Sequence, residues 1–157
     1  MQVPLYLDRS FPTIAGVNGN GAIIHYQATP ESSGYLTEND MLLLDSGAQY
    51  EDGTTDVTRT LHFGPQSASS DMKEMYTRVL KGHIALSSTV FPAGTAGSQL
   101  DAFARQFLWK VTKDYKHGTG HGVGAALNVI QPLFFILITI PTFQRLIETY
   151  ILICESF

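Results

Sequence analysis

The segment 41–63 constrains the fold of this chain more than any other part of its 157 residues. A short apolar run, Met41-Leu42-Leu43-Leu44, leads directly into Asp45. Residues 54–63 (TTDVTRTLHF) then alternate β-branched and polar side chains with a period of two, which is typical of a half-buried strand. Asp52-Gly53 lies between the two runs and is a strong hairpin signal. The segment therefore predicts two neighbouring antiparallel strands joined by a tight turn.

This hairpin brings two carboxylates, Asp45 and Asp56, onto adjacent strands. Asp45 ends an apolar run, where burial of a carboxylate is costly unless its charge is compensated. Directly opposed Cβ atoms in such a pair lie about 5 Å apart, which suits two carboxylates that hold one or two cations. A turn centred on Asp52-Gly53 offsets the two residues, so a β-bulge would be needed to bring them level. On the residues alone, a metal site and two ordinary acids near a hairpin are both open interpretations.

Further strands and two helices are predicted around this hairpin. Residues 21–26 follow a turn rich in glycine and asparagine and are β-prone. Two apolar stripes with helical spacing follow, separated by Pro92 and Gly94. The stripes are Met72, Met75, Tyr76, Val79 and Leu80, with Asp71 and Glu74 as a capping pair, and Leu100, Phe103, Phe107 and Val111, entered through Ser98 with Asp101 three residues on. Strands followed by helices indicate an α+β arrangement.

A glycine-rich stretch at residues 117–124 (HGTGHGVG) carries two histidines, His117 and His121. The intervening glycines disfavour a helix, and in an extended segment two residues four apart point to the same face. Neutral imidazole is a good ligand for a transition metal. A structural loop with two hydrogen-bonded histidines is the alternative, and His25, beside Ile23-Ile24, is a weak candidate by itself.

Composition excludes several classes of function. Apolar residues make up 44% of the chain and charged residues 15%, which indicates a packed globular body. The net charge of -4 gives no reason to expect nucleic acid or an anionic membrane as a partner. The apolar run 133–140 is shorter than the roughly 20 residues that span a bilayer. A lone Cys154 and the absence of a signal-peptide pattern favour a reducing, cytoplasmic location.

Other chemistries lack their motifs. The chain has no G-x-S-x-G elbow and no P-loop lysine. The glycines around His121 superficially resemble a dinucleotide loop, but no clear βαβ unit accompanies them. Cys154 has no evident base, which disfavours a thiol nucleophile. These reaction classes are therefore less favoured than metal binding by the aspartates and histidines.

Taken together, these stretches resemble the eukaryotic aminopeptidase P branch of the pita-bread metallopeptidases. The resemblance covers roughly residues 10–129, and the aspartate-to-aspartate stretch is its most specific part. The matching segments are 21–26 (GAIIHY), 44–64 (LDSGAQYEDGTTDVTRTLHFG), 80–86 (LKGHIAL) and 117–124, continuing through Leu127-Asn128-Val129. The resemblance implies the first half of an α+β pita-bread fold.

The resemblance also implies a function and roles for individual residues. The family removes an N-terminal residue that precedes proline, usually with two manganese ions. Asp45 would chelate one ion, Asp56 would bridge both, and His121 would be the imidazole ligand. His25 and His117 would line the substrate pocket. The implied partners are peptides with proline in the second position, and a homodimer is compatible with the resemblance.

The resemblance stops at Ile130. After Leu-Asn-Val the family continues with a His-Glu-Gly-Pro stretch, whereas here Ile130-Gln131-Pro132 follows. We therefore divide the chain into a partial catalytic domain at 1–129 and a divergent apolar tail at 130–157. The expected glutamate ligands are not found in their family context, which predicts weak or absent activity for this chain. A non-catalytic peptide- or protein-interaction module on the same scaffold, or a fragment without function, are the alternatives.

Overall fold

A computed structural model describes residues 3–64 and 68–127, together with the backbone of residues 144–145. These residues fall into two compact units. The first unit contains residues 3–64, 68–69 and 123–127, and the second contains residues 70–122 and 144–145. Apart from that two-residue backbone segment, the predicted tail at 130–157 lies outside the described residues. The division of the chain at 129/130 therefore stays a prediction.

The first unit consists of short antiparallel strands in two sheets, ordered β1-β4-β5 and β2-β3-β6. The predicted strands around Asp45 and after Asp56 are both present. The elements are β1 Tyr6–Arg9, β2 Ile14–Val17, a 3-10 helix Asn18–Ala22, β3 Met41–Ser46, β4 Ala48–Tyr50, β5 Gly53–Thr54 and β6 Val57–His62.

The predicted hairpin is confirmed, but its turn lies one residue earlier than expected. Tyr50 pairs with Gly53, so the connecting residues are Glu51-Asp52 rather than Asp52-Gly53. The β3–β6 ladder keeps the same register, with Ser46 opposite Val57. A backbone hydrogen bond of 2.8 Å from Thr55 N to the Ala48 carbonyl links the two ladders. The hairpin therefore runs from Met41 to His62 in one register, without the bulge that a turn at Asp52-Gly53 would have required to bring the two aspartates level.

The strand predicted at residues 21–26 is also wrong. Gly21 and Ala22 end the 3-10 helix, and a turn follows in which Tyr26 N donates to the Ile23 carbonyl at 3.2 Å. Gly21 lies against β2 and β3 so closely that a Cβ on Gly16 would be 2.6 Å from the Gly21 nitrogen. His25 adopts a φ of 55°, which is incompatible with an extended strand. Tertiary packing thus overrides the β propensity of Ile23-Ile24.

The second unit contains both predicted helices, α1 Ser70–Ser88 and α2 Gly97–Trp109. A short strand β7, Val90–Phe91, lies between them and pairs with β8, Gln144–Arg145. The helices pack through small residues, since a Cβ on Gly82 would collide with the Ala104 carbonyl oxygen. Leu86, Phe91, Leu100 and Ala104 form a buried apolar cluster beside this contact. Helices after strands confirm the predicted α+β class.

The start of α2 differs from the expected capping pair. Ala96, not Ser98, is the N-cap of α2, and its N–H donates to Gln99 Oε1 at 2.9 Å. Asp101 instead accepts a hydrogen bond from Arg105 on the next helical turn. In α1, Glu74 pairs with Arg78, and the predicted capping pair of Asp71 and Glu74 stays a prediction. Over the residues that the structure describes, neither helix is long and apolar enough to cross a membrane.

Candidate metal centre

The two predicted carboxylates lie on one face of the continuous hairpin. Asp45 on β3 is opposite Thr58, and Asp56 precedes β6, two residues before Thr58. Residues two apart in an extended chain share a face, so Asp45 and Asp56 are diagonal neighbours, for which Cα atoms lie about 7–8 Å apart. A turn centred on Asp52-Gly53 would have doubled this offset. The earlier turn therefore brings the carboxylates near each other without a bulge.

Both carboxylates are almost completely buried, each with 3% of its surface exposed. Asp45 continues the inward-facing row of Met41 and Leu43, so its carboxylate stands at the end of an apolar stripe. Burial of an ionised carboxylate is unfavourable unless hydrogen bonds or a cation offset the desolvation. Two buried carboxylates on one face of a hydrogen-bonded ladder are suitable oxygen donors for divalent cations, including manganese.

The backbone beside Asp56 is held by a close approach at Gly47. A Cβ on Gly47 would collide with Ser10 Oγ and with the Thr55 carbonyl oxygen. Ser10 Oγ in turn donates to that carbonyl at 2.8 Å. Glycine at position 47 thus lets the segment before β2 reach the ladder immediately next to Asp56.

The predicted histidines are divided between the two units. His25 lies in the first unit, in the exposed turn after the 3-10 helix. His117 and His121 lie in the second unit, in the loop after α2. Within residues 3–64 and 68–127, no group of three or more His, Cys, Asp or Glu side chains is arranged so that it could hold a metal ion. The structure therefore brings together Asp45 and Asp56 among the predicted site residues.

In each loop histidine, Nδ1 lies within hydrogen-bond distance of the backbone carbonyl oxygen of the following residue. His117 Nδ1 lies 2.8 Å from the Gly118 oxygen, and His121 Nδ1 lies 2.9 Å from the Gly122 oxygen. A carbonyl oxygen can only accept, so each contact is a hydrogen bond in the tautomer that carries its proton on Nδ1. In that tautomer Nε2 bears the lone pair and is the nitrogen suited to a metal.

Tyr115 and Arg105, which sequence reasoning did not select, support this loop. Tyr115 is buried and stacks on His117, with ring centroids 4.7 Å apart. Burial raises the pKa of Tyr115, although its hydrogen bond to Thr119 and the charge of Arg105 oppose the shift. The Arg105 guanidinium carbon lies 3.9 Å from the Tyr115 ring centroid, a cation–π distance. The sequence shows that Asp101 and Arg105 are four residues apart in a predicted helix. It does not show that Arg105 contacts the loop.

Asp114 completes the charged surroundings of Arg105. Its Oδ1 accepts from Arg105 Nη1 at 2.9 Å, and its Oδ2 accepts from Trp109 Nε1 at 3.0 Å. Burial alone would raise the pKa of Asp114, but hydrogen bonds from Trp109 and Arg105 outweigh it and lower the pKa below its ordinary value. Asp114 is therefore an anion at neutral pH that helps to hold Arg105 in place.

Residues 2–143 match the sequence model of metallopeptidase family M24. The chain belongs to this family. Relatives agree: it is 61% identical over 124 residues to aminopeptidase P2 of Arabidopsis thaliana, and 57% identical over 124 residues to a probable Xaa-Pro aminopeptidase P of Sordaria macrospora. Each match covers 79% of this chain but 17% and 20% of the relative. This M24 chain thus spans about a fifth of the length of these curated relatives.

Solved structures support the same membership. An X-prolyl aminopeptidase of Caenorhabditis elegans, described as a cytosolic enzyme with a di-nuclear active site, superposes with a TM-score of 0.76 and 42% identity. That match covers 90% of this chain and 22% of the other. Prolidase of Pyrococcus furiosus gives a TM-score of 0.67 at 25% identity, over 80% of this chain and 36% of the prolidase. The predicted pita-bread fold and the aminopeptidase P resemblance are confirmed, and this M24 chain contains part of that fold.

Gln49 is a further residue of this M24 chain that sequence reasoning missed. Its buried amide nitrogen donates to the Tyr50 carbonyl at 2.7 Å and lies 3.4 Å from the Ala125 carbonyl. Its Oε1 accepts from Thr54 Oγ1 at 2.5 Å and from Leu127 N at 2.9 Å. Gln49 therefore ties residues 125–127 to the end of the hairpin, a contact between segments more than 70 residues apart in sequence.

Proposed function

We propose that this chain carries part of the site of a metal-dependent Xaa-Pro aminopeptidase, which hydrolyses the bond between an N-terminal residue and a following proline. The observation that carries the proposal is the pair of buried carboxylates, Asp45 and Asp56, on one face of a continuous hairpin in an M24 chain. Burial of two acids side by side is costly, and a shared cation is the simplest compensation.

In this proposal each predicted residue has a distinct role. Asp45, Asp56 and His121 would hold the cations, Asp45 as a chelating carboxylate, Asp56 as a carboxylate shared by both, and His121 as the imidazole ligand. His25 and His117 contact the peptide. Two manganese ions, when bound, would supply Lewis-acid polarisation of the scissile carbonyl and activation of a water molecule. The protein's own contribution is to hold its donors in a fixed arrangement and to orient the peptide.

The substrates in this proposal are peptides with proline in the second position. The names of the similar proteins support that specificity, and the description of the C. elegans enzyme as cytosolic supports a cytoplasmic location. The acidic net charge of -4 favours neither nucleic acid nor an anionic membrane as a partner. A homodimer is compatible with the proposal.

We further propose that the isolated chain binds metal weakly and has little or no peptidase activity. Asp45, Asp56 and His121 supply two negative charges and one neutral nitrogen. Two divalent cations carry four positive charges, so these residues leave excess positive charge and open coordination positions. The matches cover 17% and 20% of the two relatives, so most of the sequence that accompanies these residues in the relatives lies outside the matched region.

Manganese titration of the purified chain, followed by calorimetry, tests the proposed site. Asp45→Asn and Asp56→Asn each keep the side-chain shape but remove a charge, and we expect each to weaken binding at least about tenfold. Asp52→Asn is the matched control, because Asp52 is exposed in the turn of the same hairpin, and it should leave affinity unchanged.

Two outcomes would contradict the proposal. Absence of binding at millimolar manganese in a folded chain would favour the non-catalytic interaction module instead. Cleavage of an Xaa-Pro peptide by the purified chain, abolished by Asp56→Ala, would show that the chain is sufficient for activity and overturn the proposed incompleteness.

A further inference from the structure

Arg105 contacts the loop that carries His117 and His121, called the histidine loop below. It also contacts two acidic side chains, Asp101 and Asp114. Its Nη1 donates to the Tyr115 carbonyl at 2.6 Å, and its Nη2 donates to the His117 carbonyl at 2.8 Å. Its Nε donates to Asp101 Oδ2 at 2.6 Å on the preceding turn of α2. With 13% of its side chain exposed, the guanidinium is largely shielded from water. One side chain thus joins α2 to two carbonyl groups of the loop, those of Tyr115 and His117.

The loop needs such an anchor because its own sequence gives it little rigidity. Glycines follow both His117 and Thr119, and each leaves the backbone a wide choice of conformations. Buried loop carbonyls require hydrogen-bond donors in place of a ladder or a helix. A planar guanidinium with five N–H groups can satisfy several acceptors at once in fixed directions, which a lysine ammonium cannot do in the same geometry.

A second path joins the same helix to the ring of His117. Asp101 also accepts a hydrogen bond from Thr119 Oγ1. Thr119 Oγ1 lies 2.6 Å from the hydroxyl of Tyr115, and the Tyr115 ring stacks on His117 at an interplanar angle of 26°. The backbone of His117 is therefore held by Arg105, and its imidazole is held by a tyrosine that Arg105 and Thr119 hold in turn.

We propose that Arg105 is a positioning residue that fixes the backbone of His117 and the orientation and tautomer of its imidazole. The importance of this for peptide binding rests on the proposed function, which assigns His117 to the substrate pocket. The conformational claim does not rest on it, because the ring can be observed in the metal-free chain.

The first test uses the unmodified chain with ¹⁵N-labelled histidine. Long-range ¹H–¹⁵N spectra recorded at alkaline pH should show His117 with its proton on Nδ1. The His117 signal is assigned by its loss in His117→Gln. Backbone relaxation at His117 should give an order parameter of about 0.85, the value of rigid backbone. A mobile His117 backbone, or a ring protonated on Nε2, would overturn the proposal even if no variant folded.

The second test compares variants at Arg105 with variants at Arg78. Arg105→Lys keeps the charge between Asp101 and Asp114, and Arg105→Met keeps most of the chain length. Arg78 is the matched control, since it pairs with Glu74 at 2.7 Å and donates to the Phe107 carbonyl at 2.9 Å, joining α1 to α2 without touching the loop. The amide signal of Gly82 and a cooperative melt report that the helix pair remains folded.

The expected result separates positioning from general stabilisation. Both Arg105 variants should lose the Nδ1–H tautomer of His117 and lower its order parameter, whereas Arg78→Lys and Arg78→Met should lower the melting temperature and leave His117 unchanged. A folded Arg105→Lys chain with the His117 signals of the unmodified chain would overturn the proposal. Equal loss in the Arg78 variants would also overturn it. Manganese affinity is a separate measurement, so failure of the proposed function would not be mistaken for failure of this inference.

Discussion

The hairpin of the first unit and the histidine loop of the second unit hold their polar residues by different means. Asp45 and Asp56 are fixed by main-chain pairing, because Asp45 lies in the β3–β6 ladder and Asp56 directly precedes β6, between two ladders that share one register. His117 is fixed by side chains, chiefly Arg105 and Tyr115. A ladder is insensitive to most single side chains but sensitive to register, whereas the loop depends on a few side chains.

This difference has an energetic consequence. Ladder hydrogen bonds share the cost of ordering the backbone over many residues, so the loss of any one side chain leaves the carboxylates in place. In the loop, two carbonyls and two carboxylates converge on one guanidinium, and their contributions are coupled. We therefore expect substitutions to have local effects in the hairpin and network-wide effects around the loop.

The largest effect should come from Gly82→Ala, which tests how far the second unit, which carries the loop, depends on the close approach of its two helices. The added Cβ would collide with the Ala104 carbonyl, a backbone atom that cannot rotate away. We expect a loss of about 2–3 kcal/mol in the free energy of unfolding, measured by denaturant titration with Trp109 fluorescence. Gly53→Ala is the control, since a Cβ there meets nothing within 4 Å. An equal effect of both changes would contradict the close approach of the helices.

Gln49→Leu should lower the stability of the chain more than other side-chain changes in the hairpin. It therefore tests whether the hairpin tolerates side-chain substitutions as expected. It removes a buried amide that joins β4 to residues 125–127 and leaves backbone groups of Ala125 and Leu127 without that partner. We expect a loss of about 2 kcal/mol. Gln106→Leu is the matched control, because its amide donates within its own helix to the Phe103 carbonyl, and it should cost less than about 0.5 kcal/mol. A neutral Gln49→Leu would show that residues 125–127 are held by other contacts.

Tyr115→Phe should cost about 1 kcal/mol at neutral pH, since it deletes the hydroxyl that meets Thr119 at 2.6 Å. It should also change the response to alkali. The pKa of Tyr115 is raised above 10.0 in the folded chain, so the unfolded chain loses this proton first as pH rises. Its contribution to stability is complete below pH 10.0 and declines from there up to the folded pKa. Unfolding free energies at several pH values should show a shallower alkaline decline in Tyr115→Phe.

The matched control for that pH series is Tyr35→Phe, because Tyr35 is 95% exposed. This variant should follow the unmodified chain at every pH. If it reduced the alkaline decline as much as Tyr115→Phe, the decline would not report burial of Tyr115.

The smallest effect should come from Glu74→Gln, which removes an ion pair from the surface of the helix pair. Arg78 and Glu74 are 2.7 Å apart, but the Glu74 side chain is half exposed, so solvent screens the pair. We expect a change of no more than about 0.5 kcal/mol in unfolding free energy. Asp101 accepts hydrogen bonds from both Arg105 and Thr119. Asp101→Asn should therefore lower the free energy of unfolding clearly more than Glu74→Gln in the same experiment. Equal effects would mean that the Arg105 network is no more cooperative than a surface pair.

Much of the local structure followed from the sequence by itself. The period-two pattern after Asp56 predicted a strand, and the apolar stripes through Leu80 and Leu100 predicted two helices, because amphipathic periodicity reflects burial on one face. Asp45 and Asp56 stood out for a related reason, since an acid in an apolar context needs compensation. The family to which the chain belongs could be read from the same stretch of sequence.

Tertiary structure alone decided how these pieces are held. The turn moved to Glu51-Asp52 because the ladder on both sides of Gly47 keeps one register, and this set the separation of the carboxylates. The β-prone Ile23-Ile24 became a turn because Gly16 and Gly21 pack backbone against backbone. Arg105 and Gln49 act on residues whose partners are set by folding rather than by any local pattern. Periodicity records which face of an element is buried, whereas register, close approach and long-range hydrogen bonds depend on what lies against that face.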